Sequence, residues 1–521
     1  GAELQNITAT GLTIGDATNG NITVDGITAA NSNNITGTVT LNATKDNAAL
    51  SFSGTASTFN AVTANADDGI SVSVGVTTDT GHLRLEGDAD NAADTNDNIQ
   101  IAAGVTLTAA NTLFLDATTG NMTGTGAVTL NAGNGVNLND GLTSAGATII
   151  DADTNDNGSG TFTVASGKTL GTTSNTLSVT ADDVDISGSI NTGTAATTIL
   201  ISDGGTIGLG NSARNLTLSG AELQNITATG LTIGDATNGD VTVDGITAAN
   251  SNNISGTLTI NATNAASSIS FSNTASTFNT LTANAGNSIT GNIPVTTDTG
   301  GLSFSAGAGI TLNDTVTTAG ATTIDADSDD SGAGTFSLNN ALNTSNNTLS
   351  ITADDVAISN TINTGSAAVT ILASDGGTIG LGATAGGLTL SGAELQNITA
   401  TGLTIGDTTG GNITVDGISN NITGTVTLNA TKDNSSVSFS NTASTFNTLT
   451  VNADDGIAVS VDVTTDTGAL TLEGDADNAL DTNDNISFYA GATLTSAAGM
   501  ALNATTGGMT GAGALTLNAQ N

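Results

Sequence analysis

The sequence predicts an all-β fold: a right-handed parallel β-solenoid of roughly 22-residue coils. Three observations predict it. The chain repeats itself over long stretches, it is built of short runs that alternate apolar and small polar residues, and it nearly lacks proline, cysteine and large aromatics.

The string GAELQNITATGLTIGD starts at Gly1, Gly220 and Gly392. It divides the chain into a first copy (1–219), a second (220–391) and a partial third (392–521), whose closing TLNAQN matches TLNAGN at Thr129–Asn134. Opening on a repeat boundary, the chain reads as a mature product or a piece of something longer. After VTTDTG the second copy lacks 45 residues and rejoins the first at IDAD, at Asp151 and Asp325. A globular core does not shed such a segment cleanly, whereas a stack of coils can drop layers. Taken as two coils, the segment sets the coil length given above. The copies are then expected to form one continuous rod whose ends are open to stacking on another.

The finer pattern follows. TVTLNA (Thr38–Ala43), TLFLDA (Thr112–Ala117), ATIIDA (Ala147–Ala152) and TTILIS (Thr197–Ser202) each have the period of two of a strand with one buried face. Each meets Asn, Asp, Gly or Ser, the residues of turns. Pro294 is the only proline, as expected where each strand must donate to neighbours on both sides. A narrow interior suits Val, Ile, Leu, Ala and Thr, and the chain has no Trp and one Tyr. Strings of β-sandwich domains, the competing architecture, need buried aromatics.

Charge excludes several functions. Against 47 acidic residues stand only Lys45, Lys168, Lys432, Arg84 and Arg214, for a net charge of −42. Nucleic acid and anionic membrane surfaces both require clustered bases. No run approaches the apolar length of a membrane span. With no cysteine there is neither a disulfide framework nor a thiolate metal site.

The layered GxLTLxA-type strands, the Asn/Thr/Gly/Asp-rich turns and the scarcity of Cys, Pro and Lys resemble the repeats of filamentous-haemagglutinin-type adhesins. The likeness runs the length of the chain as a style of repeat rather than a specific motif. It implies a secreted bacterial β-solenoid at the cell surface, used in adhesion, biofilm or filament building. The secretion domain of that family has no counterpart in these residues.

Two acidic patterns are candidate Ca²⁺ sites, because Ca²⁺ takes six to eight hard oxygen ligands. The first is EGDADNAADTNDN, with Glu86, Asp88, Asp90, Asp94 and Asp97, returning as Glu473, Asp475, Asp477, Asp481 and Asp484. The second is DADTNDNG, with Asp151, Asp153 and Asp156, returning as DADSDDSG, with Asp325, Asp327, Asp329 and Asp330. Its D-x-D-x-[DN] start matches a calcium loop, although the Gly at position six and the closing Glu of an EF-hand are missing. The alternative for both is a solvated turn. The ADD strings at Asp67, Asp182, Asp354 and Asp454 read as strand terminators.

His82, Arg84 and Glu86 share one face of a predicted strand. The other copies carry Gly301 and Ala469 for His82, and Ser303 and Thr471 for Arg84, so a solvated face is expected rather than a catalytic trio. N-x-[ST] strings such as Asn6-Ile7-Thr8 and Asn21-Ile22-Thr23 would accept glycans in a host that modifies asparagine.

The expected function is structural and non-enzymatic: an extracellular or cell-surface fibre, filament or adhesin stalk. Its partners would be further copies joined head to tail and cell-surface or matrix glycans. The alternative is a calcium-dependent carbohydrate- or cell-binding module. A polysaccharide-acting β-helix enzyme is disfavoured.

Overall fold

The computed structural model describes residues 1–93, 96–419, 421–479 and 483–520. The chain is a parallel β-solenoid, and every pairing between its strands is parallel. It divides into two compact units, Gly1–Ala262 and Thr263–Asn521, so the division falls inside the second sequence copy.

In the first unit most coils contribute three strands, and in those that start at Leu12 and Gly230 the short helices Ala29–Ser32 and Ala248–Ser251 take the place of the third. Ala61–Ala66, Ile70–Val72 and Val76–Thr78 form one coil, and Leu83–Glu86, Ile99–Ile101 and Val105–Ala109 the next. Strands in the same place stack into three ladders, hence three faces. On the first face the in-register column runs Leu12, Val39, Val62, Leu83, Leu113, Val136, Phe162, Val184. The second face carries Ile22, Leu50, Ile70, Ile99 and Met122, and the third Val76, Leu107, Leu130, Ile150 and Val179. Every position in these columns is apolar because the register places all of them inward. A slip of one residue would turn the whole strand inside out.

Coil length varies from 19 residues (Ser57 to Val76) to 36 (Ile190 to Ile226), since loops swell at the corners while the strands keep register. The 45-residue segment missing from the second copy therefore corrects to a different size. It holds five strands, Leu83–Glu86, Ile99–Ile101, Val105–Ala109, Leu113–Asp116 and Met122–Gly124. At three strands per coil that is one and two-thirds coils, not two.

Burial follows the pleat. In Thr38–Ala43 the side chains of Val39, Leu41 and Ala43 are buried and those between them face out. Polar side chains that do turn inward are satisfied locally. In VTTDTG the second Thr (Thr78, Thr297, Thr465) is buried and donates 2.7 Å to the carbonyl of Gly81, Gly300 or Gly468. Ten of the eleven phenylalanines are buried, with Phe271 stacked 5.4 Å from Phe304 and edge-on to Phe278.

At the end of the first copy the stacking order inverts. Ile207–Gly210 pairs in parallel with Leu216–Leu218 after only five linking residues, although parallel neighbours ordinarily need a connection of a dozen or more. Gly208 permits it, because a Cβ there would lie 1.8 Å from the Ser212 carbonyl oxygen. Side chains then bridge the break. Thr217 N–H donates 2.8 Å to Asp183, Ile186 N–H donates 3.1 Å to Glu222, and Asn225 donates 2.8 Å to the Ile186 carbonyl. Glu222 also closes a capping box with Ser219 on the short helix Gly220–Gln224. The second copy repeats every part: Ile379–Gly382 against Leu388–Leu390, Thr389 on Asp355, and Glu394 and Asn397 on Ile358. The repeated GAELQN string is thus a junction that continues a ladder with side chains.

Among the described residues no helix is long and apolar enough to cross a membrane.

Candidate functional site

The described carboxylates of the acidic loops do not gather at one point. Among the described residues no three His, Cys, Asp or Glu side chains converge as metal ligands would. Asp88 and Asp97 turn inward, 0% and 3% exposed, while Asp90 faces solvent, and Asp94 lies outside the described residues. The inward pair meets on Thr119 of the next coil. Its N–H donates 2.7 Å to Asp88 Oδ2, and its hydroxyl lies 3.1 Å from Asp97 Oδ2 and 3.2 Å from the Ala92 carbonyl.

The third copy builds the same loop, with Thr506 on Asp475, Asp484 and the Ala479 carbonyl. Asp477 is exposed there, and Asp481 lies outside the described residues. In both loops one oxygen of the fully buried aspartate, Oδ1 of Asp88 and of Asp475, has no hydrogen-bond partner among the described residues. Thr119 and Thr506 escaped the sequence reading. The signal available was the ATTG string that follows each acidic loop one coil later.

The second pattern is a turn organised by one buried aspartate. Asp153 accepts 2.7 Å from the Ser202 hydroxyl and longer bonds from the Asn157 and Gly158 N–H groups. Asp327 does the same with Ser374, Ser331 and Gly332. Burial works to raise Asp327, but the Ser374, Ser331 and Gly332 hydrogen bonds outweigh it and hold the carboxyl below its ordinary value. Asp156, Asp329 and Asp330 are exposed, with Asp156 and Asp330 in the left-handed region that such turns use. Burial raises Asp151 and Asp325, which face out from their strands. Burial, then the charges of Asp203 and Asp153, raise Asp182, and the same causes through Asp375 and Asp327 raise Asp354. Two of the ADD strings therefore belong to this acidic neighbourhood, which linear spacing does not reveal.

The outer side of the first face holds another group. Arg84 pairs 2.9 Å from Glu86, and in-register stacking sets Phe114 over Arg84 and Asp116 over Glu86. His82 lies 5.6 Å from the Phe114 ring, and its Nδ1 accepts 3.3 Å from Thr112 N–H. Glu86 is pushed up to about 7, first by burial and then by the charge of Asp116, and its Oε1 has no partner. The sequence already placed His82, Arg84 and Glu86 on one face. Phe114 and Asp116, 30 residues further on, needed the register.

A surface depression of about 630 Å³ is an open groove along the second face, lined by Thr23, Ser51, Ser71, Gln100 and Thr123 and edged by Asn96 and Asp68. It has a floor of hydroxyls and amides and no nucleophile–base pair. No family model, curated protein or solved structure matches the chain.

Proposed function

We propose that the chain is a structural, non-enzymatic extracellular β-solenoid protein acting as a cell-surface fibre, filament or adhesin stalk. The observation that supports this reading is the coil-by-coil pairing of strands around an aliphatic interior, with inversions bridged by side chains and polar groups satisfied at the corners. Such stacking resists bending, and five basic residues leave few sites for trypsin-like proteases. Secretion to the cell surface, self-association head to tail and contact with matrix glycans belong to the same reading. Electron microscopy of the native material with antibodies to the chain tests it. Labelled thin fibres or stalks on cells are expected, and label confined to the cell interior would sink it.

The unpartnered Oδ1 atoms of Asp88 and Asp475 favour a second reading, a calcium-dependent adhesin. A rise in melting temperature with Ca²⁺, reversed by EDTA and absent in Asp88→Asn/Asp475→Asn, supports it. An unchanged melt removes it.

A further inference from the structure

We propose that the outer face around Phe114 binds a neutral pyranose unit of a polysaccharide, with the sugar ring stacked on Phe114 and its hydroxyls held by Arg84, Glu86 and Asp116. The inference does not depend on whether the protein is a fibre or a stalk.

The placement of Phe114 carries it. The other ten phenylalanines of the chain are buried, and this one, half-buried, lies on the outer side in a column whose neighbours are Thr63, Arg84 and Asn137. Packing does not call for an aromatic there. Around it lie the only histidine of the chain, one of its two arginines, and a glutamate with an unpartnered, buried oxygen. Flat aromatic faces hold the apolar face of a sugar, and donors and acceptors at the ring edge hold its hydroxyls. A peptide side chain would need a pocket to leave water, and this surface is an open sheet. Glu86, Asp116 and the overall charge of −42 disfavour a uronate, and Arg84 is already engaged by Glu86.

The chain contains its own control. The third copy keeps the inward residues of these strands apolar, with Leu470, Leu472, Met500 and Leu502 for Leu83, Leu85, Leu113 and Leu115. On the outer side Ala469, Thr471, Ala501 and Asn503 replace His82, Arg84, Phe114 and Asp116. Of the group only Glu473, in the place of Glu86, is left there, while the coil beneath it remains. The second copy lacks the whole stretch, so its Gly301 and Ser303 answer to Ala127 and Thr129 of the first copy and not to His82 and Arg84.

Affinity electrophoresis of the full chain in native gels containing hydroxyethylcellulose, dextran or galactomannan tests the proposal, with polygalacturonate as the charged control. Retardation by at least one neutral polysaccharide is expected. Phe114→Ala should weaken it at least fivefold at an unchanged melting temperature, and Phe114→Tyr should retain it. Should Phe114→Ala fold poorly, Thr471→Arg/Ala501→Phe in the third copy must strengthen the retardation. Retardation by none of the neutral polymers, by polygalacturonate alone, or equally in wild type and Phe114→Ala would overturn the proposal.

Discussion

The first and second copies of the repeat begin with the same sixteen residues and wind differently. From Leu12 the first copy passes through seven coils on the first face to Val184, then reaches the third face at Thr197 and its own repeat, Leu231, one coil later. That is eight and two-thirds coils. In the second unit the column from Leu281 passes Leu302, Thr322, Leu349, Val369, Leu403 and Val426 to its counterpart Leu449, seven whole coils on a single face. The five extra strands of the first copy make the difference. A sequence repeat is therefore not a rotational repeat. Identical strands face different ways in the first unit, whereas in the second the outward residues from Thr282 to Thr471 form an unbroken row of nine Thr or Ser.

Cores should separate the copies most. Phe304 is fully buried against Phe271, and its place in the first copy is taken by Leu130, which has no ring partner. Phe304→Ala is expected to lower the unfolding free energy by about 3–5 kcal/mol and Leu130→Ala by about 2–5 kcal/mol, both read by guanidinium titration. A smaller loss at Phe304 than at Leu130 would break the ranking.

The junctions should behave alike instead. Glu222 and Glu394 accept from Ile186 and Ile358 in the same way, so replacing either with alanine is expected to cost about 1.5–3 kcal/mol, the worth of a hydrogen bond to a charged group. Hydrogen exchange should show loss of protection at Ile186 in one variant and at Ile358 in the other. An effect at only one site would mean that the junctions are not equivalent.

A pH effect sharpens the contrast further. Glu86 sits in the stretch that the second copy lacks, and its carboxyl is raised from 4.5 to about 7. Between those values the folded chain holds a proton that the unfolded chain has lost, so stability falls as pH rises through that window. Glu86→Gln should make this fall shallower, measured as the difference in melting temperature between pH 5 and pH 8. An identical difference in the two proteins contradicts the assignment.

The smallest effect is expected from removing residues 83–127, which turns the first copy into the second. Every later strand rotates by a third of a turn, yet each still finds a neighbour above and below. The shortened chain should melt cooperatively within a few degrees of the parent by circular dichroism. Aggregation or a broad, non-cooperative melt would show that the phase of the first copy is set by more than strand stacking.

Much of this was legible in the sequence because a solenoid writes its interior as alternation. Thr38–Ala43 reads as a strand with Val39, Leu41 and Ala43 inside, and it is one. Coil length was not legible. Loops such as 152–160 add residues without adding a strand, so counting residues made two coils of five strands. The inverted pair at Ile207 was also hidden, since its cause is a contact between Gly208 and Ser212 rather than a periodicity. For the candidate sites, spacing along the chain named the acids but not what they meet. Asp88 finds Thr119 and Arg84 finds Phe114 only through the stacking of the next coil.

The whole-number winding of the second copy has a genetic consequence. Unequal crossover between GAELQ-encoding segments that duplicates a 172-residue copy lengthens the protein while every surface row carries straight on. Duplicating a 219-residue copy instead hands each row to the adjacent side, so that variation in length and in surface pattern can arise from the same gene by one recombination event.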